Sequence, residues 1–156
     1  MFISIEVTGL EQATAKLNGI SDFLDDLSPI AYQLAEIVRD NHLTPLFLSE
    51  PSTLTGGPVH GDAYHSPLSS YTLRQNPRRA TGQIHIDSGS LWRGAVTEGG
   101  GGNRYEVVGN EFTYELTDLR APILQAMRPI LFWHEELEKA ITGAIADYFQ
   151  KLWDGK

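Results

Sequence analysis

The residues whose types could most readily do chemistry are the histidines of the stretch HGDAYH, residues 60–65. His60 and His65 flank Asp62, and two imidazoles with one carboxylate form a ligand set that zinc accepts. A zinc site also needs a rigid element and a third or fourth protein ligand. The stretch lacks helical periodicity, and no further ligand lies close to it in the sequence. We therefore interpret these histidines as part of a polar loop, and we predict no metal and no cofactor.

A second candidate is the pair His85 and Asp87, in which the carboxylate is close enough in sequence to orient a histidine base. Such a pair needs a nucleophile, which would be Ser88, Ser90 or a distant serine. The Gly-x-Ser-x-Gly turn that presents the serine of many hydrolases does not occur in the sequence. We therefore predict that the chain is not an enzyme. The alternative is a small metal-dependent or Ser/His hydrolase that uses the histidines of this region, His60, His65 and His85.

Other groups fit contacts with a partner better than catalysis. Arg74, Arg78 and Arg79 form the densest basic patch, which is either a solvated loop or a contact with an acidic partner surface. The glycines Gly99–Gly102 lie between two predicted strands and lack the lysine of a phosphate-binding loop, so they indicate a hairpin tip. Large amphipathic side chains such as Trp153 often anchor interfaces. We expect the other two tryptophans in the core, Trp92 and Trp133.

The longest predicted element is an amphipathic C-terminal helix, Arg128–Trp153, with Pro129 in its first turn. Its apolar residues recur at spacings of three, four or seven, which places them on one helical face. These residues are Ile130, Leu137, Ile141, Ile145, Tyr148 and Leu152. A face of this length needs a large apolar surface, which we expect a sheet to supply.

Two further helices are predicted near the N-terminus. Helical spacing of apolar residues runs from Leu10 to Leu27, with a break expected before residue 28. Ser28 and Pro29 fit the N-cap and the first position of the second helix. Pro45 limits its length, because the residue before a proline avoids the helical region.

Alternating apolar residues predict four strands. The last two are joined by Gly109-Asn110, a candidate for a two-residue hairpin turn. The four strands are Ile3–Thr8, Arg93–Glu98, Tyr105–Val108 and Phe112–Leu116. We therefore expect an α+β fold in which an antiparallel four-stranded sheet is packed by the N-terminal helices and the long C-terminal helix.

Between Ser49 and Ser88 the periodicity fails, and prolines and glycines are frequent. A stretch of this length without regular elements is uncommon inside a compact domain, and it usually has a function or is ordered by a partner. We therefore predict a single domain, residues 1–156, in which residues 49–88 form a long extended loop that contacts a partner.

Composition narrows the class of protein. The chain has 156 residues, no cysteine and a net charge of −8 from 12 basic and 20 acidic residues. Disulfides and thiolate metal sites are excluded, and the charge argues against a groove that grips nucleic acid. An acidic wall that DNA slides past remains compatible with it. The N-terminal stretch MFISIEVTG lacks the features of a signal peptide, and no apolar run is long enough to span a membrane. We expect a protein assembled in a cytoplasm.

Several stretches, in this order, resemble the virion morphogenesis, or tail completion, proteins of tailed bacteriophages. The opening I-x-I-x-V-x-G-L, followed by an amphipathic helix, is similar to theirs. Gly61–Leu73 resembles their pattern of a glycine, an aromatic residue, a proline–leucine pair and a threonine–leucine pair. Asp87–Leu91 resembles their D-T-G-x-L motif. Val108-Gly109, Tyr114 and Arg128–Leu131 resemble their valine–glycine, their strand tyrosine and the R-P-F-L motif at their last helix.

The resemblance implies a structural virion protein that acts by assembly at the head–tail junction. Such proteins form rings, commonly of six copies, and serve as tail completion proteins, tail terminators or head–tail connectors. The implied partners are further copies of the chain, the tail tube protein and a head-side connector ring. DNA would pass through the lumen without specific binding, and no membrane is involved. We expect the interface to include Tyr64, Leu68, Tyr71, Arg74, Arg78, Arg79 and Trp153. A non-viral interaction module is a further alternative.

Overall fold

The computed structural model describes residues 10–86, 89–97 and 101–155. In chain order its α-helices are α1 (Leu10–Asp25), α2 (Ala31–Ile37), α3 (Thr44–Leu48), α4 (Ser70–Gln75), α5 (Ser90–Val96), α6 (Ala121–Met127) and α7 (Glu135–Asp154). Short 3-10 helices cover Ser28–Ile30 and Pro77–Thr81, and a π-helical turn covers Val38–Leu43. None of the described helices combines the length and apolar character needed to cross a membrane.

The described strands form two separate antiparallel pairs. β1 (Gly57–Pro58) pairs with β2 (Tyr64–His65), and β3 (Asn103–Val108) pairs with β4 (Glu111–Leu116). The broad α+β prediction is confirmed, whereas the predicted four-stranded sheet is wrong. The predicted strand Ile3–Thr8 lies outside the described residues.

The β3–β4 hairpin matches the prediction closely. Its two strands contain the predicted Tyr105–Val108 and Phe112–Leu116, and Val108 pairs with Glu111 across the turn. Gly109 has a φ of +60°, which a glycine at the first central position of a two-residue turn adopts without strain. Phe112, Tyr114 and Leu116 alternate with more exposed neighbours, so one face of β4 is turned to the interior.

The predicted strand Arg93–Glu98 is wrong, because residues 90–96 form helix α5. Leu91 and Ala95 are both buried while Arg93 between them is exposed. A helix achieves this, whereas in a strand all three side chains would share one face. The side-chain amide of Asn103 lies 2.8 Å from the carbonyl oxygens of both Gly94 and Ala95. These contacts satisfy carbonyls that the short helix leaves without partners.

The second predicted helix is present, and it continues past Pro45 instead of ending there. The chain runs from α2 through the π-helical turn into α3, which contains Pro45. A proline has no N–H to donate to the carbonyl four residues before it, here that of Asn41. The Asn41 carbonyl instead accepts a hydrogen bond of 2.9 Å from Nε2 of His60. Ser28 is not the predicted N-cap, since its N–H and hydroxyl both bond to Oδ1 of Asp26.

The core lies between helix α7 and the continuous helical segment that runs from α2 to α3. Its most deeply buried apolar side chains are Leu34, Leu43, Leu46, Phe47 and Ile130. Helix α1 joins through Phe23, whose ring centroid lies 5.0 Å from that of Phe149 on α7. The predicted face of α7 is confirmed from Leu137 onward, but it packs largely on helices α1 and α2 instead of a sheet. The helix also starts at Glu135 and not at Arg128.

The prediction of a long extended loop between residues 49 and 88 is also wrong. The described part of this segment contains the β1–β2 hairpin, α4 and a 3-10 helix, and Ser52 forms an isolated bridge with Gln83. Thr53 and His65 within it are fully buried. The hydroxyl of Thr53 donates to the carbonyl of Arg79, and the amide of Gln83 donates to that of Glu50. Hydrogen bonds of this kind, and not a buried apolar face, order the segment. Its apolar residues therefore show no helical or alternating spacing.

Candidate functional site

The five histidines of the chain gather into two separate clusters. The first, which we call the Glu50 cluster, is buried and consists of Glu50, His65 and His85. The second, the His134 cluster, is partly exposed and consists of His42, His60, His134 and Glu136. His60 and His65, which the sequence suggested as one ligand pair, therefore belong to different clusters.

In the Glu50 cluster one carboxylate holds two imidazole rings. Oε2 of Glu50 lies 3.1 Å from Nδ1 of His65, and Oε1 lies 2.6 Å from Nδ1 of His85. The two ring centroids are 4.8 Å apart. Nε2 of His65 also contacts the carbonyl oxygen of Pro129, at 2.9 Å. The cluster thus links the end of α3, strand β2, residue 85 and the turn before α7.

The partners of Glu50 define its protonation. Both nitrogens of His65 face acceptors, the Glu50 carboxylate and the carbonyl of Pro129. Burial raises the pKa of Glu50, but the hydrogen bonds and charges of His65 and His85 outweigh burial and hold it below its usual range. The carboxylate is therefore ionised at neutral pH, and it accepts hydrogen bonds from the two buried imidazoles.

Arg128 extends this cluster to the backbone. Its guanidinium is buried and donates to the carbonyl oxygens of Ser66 at 2.8 Å and Pro67 at 2.9 Å. Burial lowers the pKa of Arg128, whereas the nearby charge of Glu50 raises it. Arg128 and Glu50 together fasten residues 49–86 to the turn that precedes α7.

Acid should remove the stabilisation that the Glu50 cluster provides. Because the pKa of Glu50 is lower in the folded protein than its ordinary value of 4.5, the unfolded chain binds more protons as the pH falls through that range. Its contribution is complete above about pH 5 and is lost progressively below pH 4.5. The charged or titratable groups that face this carboxylate are His65, His85 and Arg128.

We therefore expect the difference in unfolding free energy between the wild type and Glu50→Gln to shrink steadily as the pH falls from about 5 to about 3. Urea unfolding at a series of pH values measures this difference. A difference that stays constant across the series would show that the carboxyl carries no depressed pKa.

In the His134 cluster, His42 holds the ring of His134. Nε2 of His42 donates to the carbonyl oxygen of Ile130 at 2.7 Å, so its Nδ1 is an acceptor, and it lies 3.0 Å from Nε2 of His134. Burial lowers the pKa of His42 to about 4, so the ring stays neutral and keeps this arrangement. His134 therefore donates through Nε2, which leaves the lone pair of its Nδ1 available.

The turn of the β1–β2 hairpin brings His60 to the same place. Gly61 and Asp62 both have positive φ values, +79° and +63°, as in the tightest hairpin turns. A Cβ on Gly61 would lie 2.9 Å from the His134 and Phe132 rings, so glycine allows this close approach. The centroids of the His60 and His134 rings are 5.0 Å apart. Nε2 of His60 lies 3.6 Å from Oε2 of the exposed Glu136.

The residues predicted to contact partners are mostly accessible. Arg79 is the exception, because its guanidinium donates to the carbonyl of Ile84 within the chain. Leu68 is half-buried, and Trp153 is about half exposed, with the Lys16 ammonium 5.2 Å from its ring centroid. The exposed members of the set are Tyr64, Tyr71, Arg74 and Arg78.

The predictions for the burial of two tryptophans and for the partner of His85 have different outcomes. Trp133, expected in the core, has 63% of its surface exposed. Trp92 is half-buried and packs against the core as predicted. His85 is oriented by Glu50, whereas its predicted partner Asp87 lies outside the described residues.

Several residues of the two clusters were missed from the sequence. Glu50 and Arg128 carry no local signature, because their partners lie 15 to 62 residues away. The missed members of the second cluster are His42, His134 and Glu136. A weak signal was present, since a histidine and a glutamate two residues apart occur at the start of α7.

The surface also carries a row of large apolar side chains at and before helix α6. Leu119, Ile123 and Met127 follow each other at four-residue spacing and are 94%, 65% and 61% exposed. A separate apolar groove of about 380 Å³ lies between α2, β4 and α7, and the exposed Trp133 is at its edge. Its lining includes Val38, Phe112, Leu131 and Ile141. Apolar surfaces of this kind usually mark contacts with other proteins.

Comparison with known proteins adds no relative: no family model, no curated protein and no solved structure matches the chain.

Proposed function

We propose that the protein is a structural component of the neck of a tailed bacteriophage. Copies of the chain form a ring, most simply a hexamer, that joins the tail tube to the head-side connector ring and lets DNA pass. The role is that of a tail completion protein, tail terminator or connector, located in the virion and without catalysis. The observation that carries the proposal is the exposed apolar row Leu119, Ile123 and Met127. The motif order described above supports it.

The apolar surfaces favour contacts between copies of the chain. A ring uses head-to-tail interfaces, in which one surface of a subunit contacts a different surface of the next. The row on α6 offers a protruding apolar surface, and the groove beside Trp133 offers an apolar recess. Two different apolar surfaces on one chain suit such an interface.

The charge of the chain agrees with a lumen that DNA crosses. A ring of subunits with a net charge of −8 each repels phosphates and so avoids retaining the DNA. Arg74 and Arg78, which are exposed in the segment of residues 49–86, then contact an acidic surface of a neighbouring protein.

The hydrolase alternative is less well supported by the geometry. Its three histidines are divided between the two clusters, and His65 and His85 are buried against Glu50. A catalytic base has to reach a proton of the substrate. Both nitrogens of His65 are bonded within the chain, and the side chain of His85 is only 1% exposed, so neither ring has such access.

Native mass spectrometry of the purified chain, alone and mixed with its tail tube protein, tests the proposal. We expect a closed ring, and we expect Ile123→Glu to convert it to monomers, because a charge in an apolar contact is costly to bury. Thr142→Glu, which adds the same charge at an exposed position of α7, is the matched control and should leave the ring intact. Circular dichroism would show that both variants stay folded. A wild type that is monomeric alone and with the tail tube would contradict the proposal.

A further inference from the structure

The side chains of His60, His134 and Glu136 form a ligand set for a transition metal. One nitrogen from each histidine and one carboxylate oxygen all lie within 4.8 Å of one another. Two imidazoles and one carboxylate bind Zn²⁺ in many proteins, with a further position left for water. The three residues come from the hairpin turn and from the first residues at α7, so the set exists only in the folded chain.

The spacing is close to what zinc requires. Zinc bonds to nitrogen and oxygen of about 2.0–2.2 Å place neighbouring ligands of a tetrahedral site about 3.4 Å apart. Nε2 of His60 and Oε2 of Glu136 are 3.6 Å apart, and a Zn²⁺ bound to this nitrogen would replace its hydrogen bond to the carbonyl of Asn41. Glu136 is exposed and can adjust its side chain at little cost.

A metal-bound histidine usually donates its other N–H to a fixed acceptor, which sets the ring orientation. His134 has such an acceptor in Nδ1 of His42, at 3.0 Å, and His42 is fixed in turn by the carbonyl of Ile130. The ring of His134 is thus positioned before any metal arrives. A precise ligand position lowers the cost of binding.

The charge around this set favours a cation, in contrast to the Glu50 cluster. The carboxylates of Asp62 and Glu136 both act on His134. The Glu50 cluster has a similar ligand set, but the guanidinium of Arg128 faces its only carboxylate. A second cation there would be repelled.

We propose that His60, His134 and Glu136 bind one Zn²⁺ per chain. The metal fastens the tip of the β1–β2 hairpin to the start of α7, and it stabilises the folded chain without taking part in a reaction. This inference is independent of the proposed phage function, since it concerns the folded subunit alone.

Calorimetric titration of the full chain without a histidine tag, after treatment with a chelator, tests the inference. We expect saturable binding of one Zn²⁺ and a rise in the melting temperature with zinc concentration, because a ligand that binds only the folded state stabilises it. Mg²⁺ prefers oxygen ligands in octahedral geometry, so it should produce neither effect. A wild-type titration without saturation would overturn the proposal.

Variants separate this site from other zinc-binding groups. Glu136→Gln and Glu138→Gln remove the same charge from the same exposed turn of α7, and only Glu136 belongs to the ligand set. We expect Glu136→Gln to weaken zinc binding by about tenfold or more, as loss of a metal-site group does, and Glu138→Gln to leave it unchanged. Equal affinities in the two variants would overturn the assignment. His134→Gln should abolish binding, and if it fails to fold, the glutamate pair still decides.

Discussion

Replacing Glu50 with glutamine is expected to lower the free energy of unfolding by about 3–5 kcal/mol. In the wild type both carboxylate oxygens accept hydrogen bonds from buried imidazoles, His65 at 3.1 Å and His85 at 2.6 Å. A glutamine has one acceptor oxygen, so it can accept a hydrogen bond from only one of the two rings. It also removes the negative charge that the hydrogen bonds and charges of the two imidazoles stabilise. For a chain of this size the loss corresponds to a fall in melting temperature of roughly 10 °C or more.

Thermal and urea unfolding at pH 7 measure this effect, and Glu115→Gln is its matched control. Glu115 also forms an ion pair, with Nε of Arg104 at 2.6 Å, but both side chains are exposed. An exposed pair contributes less than about 1 kcal/mol, so this variant should unfold almost like the wild type. If both variants lost the same free energy of unfolding, the burial of Glu50 would add nothing to its contribution to stability.

The Glu50 cluster shows what sequence patterns cannot reveal. Its residues lie 15 and 35 positions apart and share no helix or strand, so no periodicity connects them. The segment that contains His65 appeared irregular because it is ordered by hydrogen bonds. Hydrogen bonds leave no pattern in the spacing of apolar residues. Proline and glycine content indicated turns correctly, but a series of turns was mistaken for an extended loop.

Elements with a strong apolar period were predicted well. Helix α7 from Leu137 onward and the β3–β4 hairpin both follow their patterns, because one face of each is buried. Helix α5 was mistaken for a strand because it has only seven residues, too few to distinguish a helical period from an alternating one. Its contact with Asn103, eight residues beyond Ala95, supplies part of what stabilises it.

The start of α7 was placed seven residues too early for a specific reason. Arg128 and Pro129 resemble the first turn of a helix, yet the N–H groups of Ile130 and Leu131 both bond to Oε1 of Gln125, at 2.7 and 2.8 Å. A side chain thus replaces the helical partners of these groups. The resulting irregular turn directs the carbonyls of Pro129 and Ile130 toward His65 and His42, respectively.

Replacing Arg128 with methionine is expected to lower the free energy of unfolding by about 2–4 kcal/mol. Methionine occupies much of the space of the arginine stem, so the loss comes mainly from the guanidinium. The carbonyls of Ser66 and Pro67 would lose their charged donors, and Glu50 would lose a nearby positive charge. The described part of the 49–88 segment should then detach more often, and limited proteolysis should cut it faster than in the wild type.

Arg74→Met is the control for this second change, because it removes the same charge from an exposed position of the same segment. Among the described residues its guanidinium donates to the carbonyl of Ser70 in its own helix and to no other group, so its effect should stay within about 0.5 kcal/mol. The double variant Glu50→Gln/Arg128→Met gives a sharper test. Since Glu50 and Arg128 interact through their charges and hold the same segment, the combined loss should be smaller than the sum of the single losses. Strict additivity would mean that the carboxylate and the guanidinium act separately, and that the segment is held by two independent contacts.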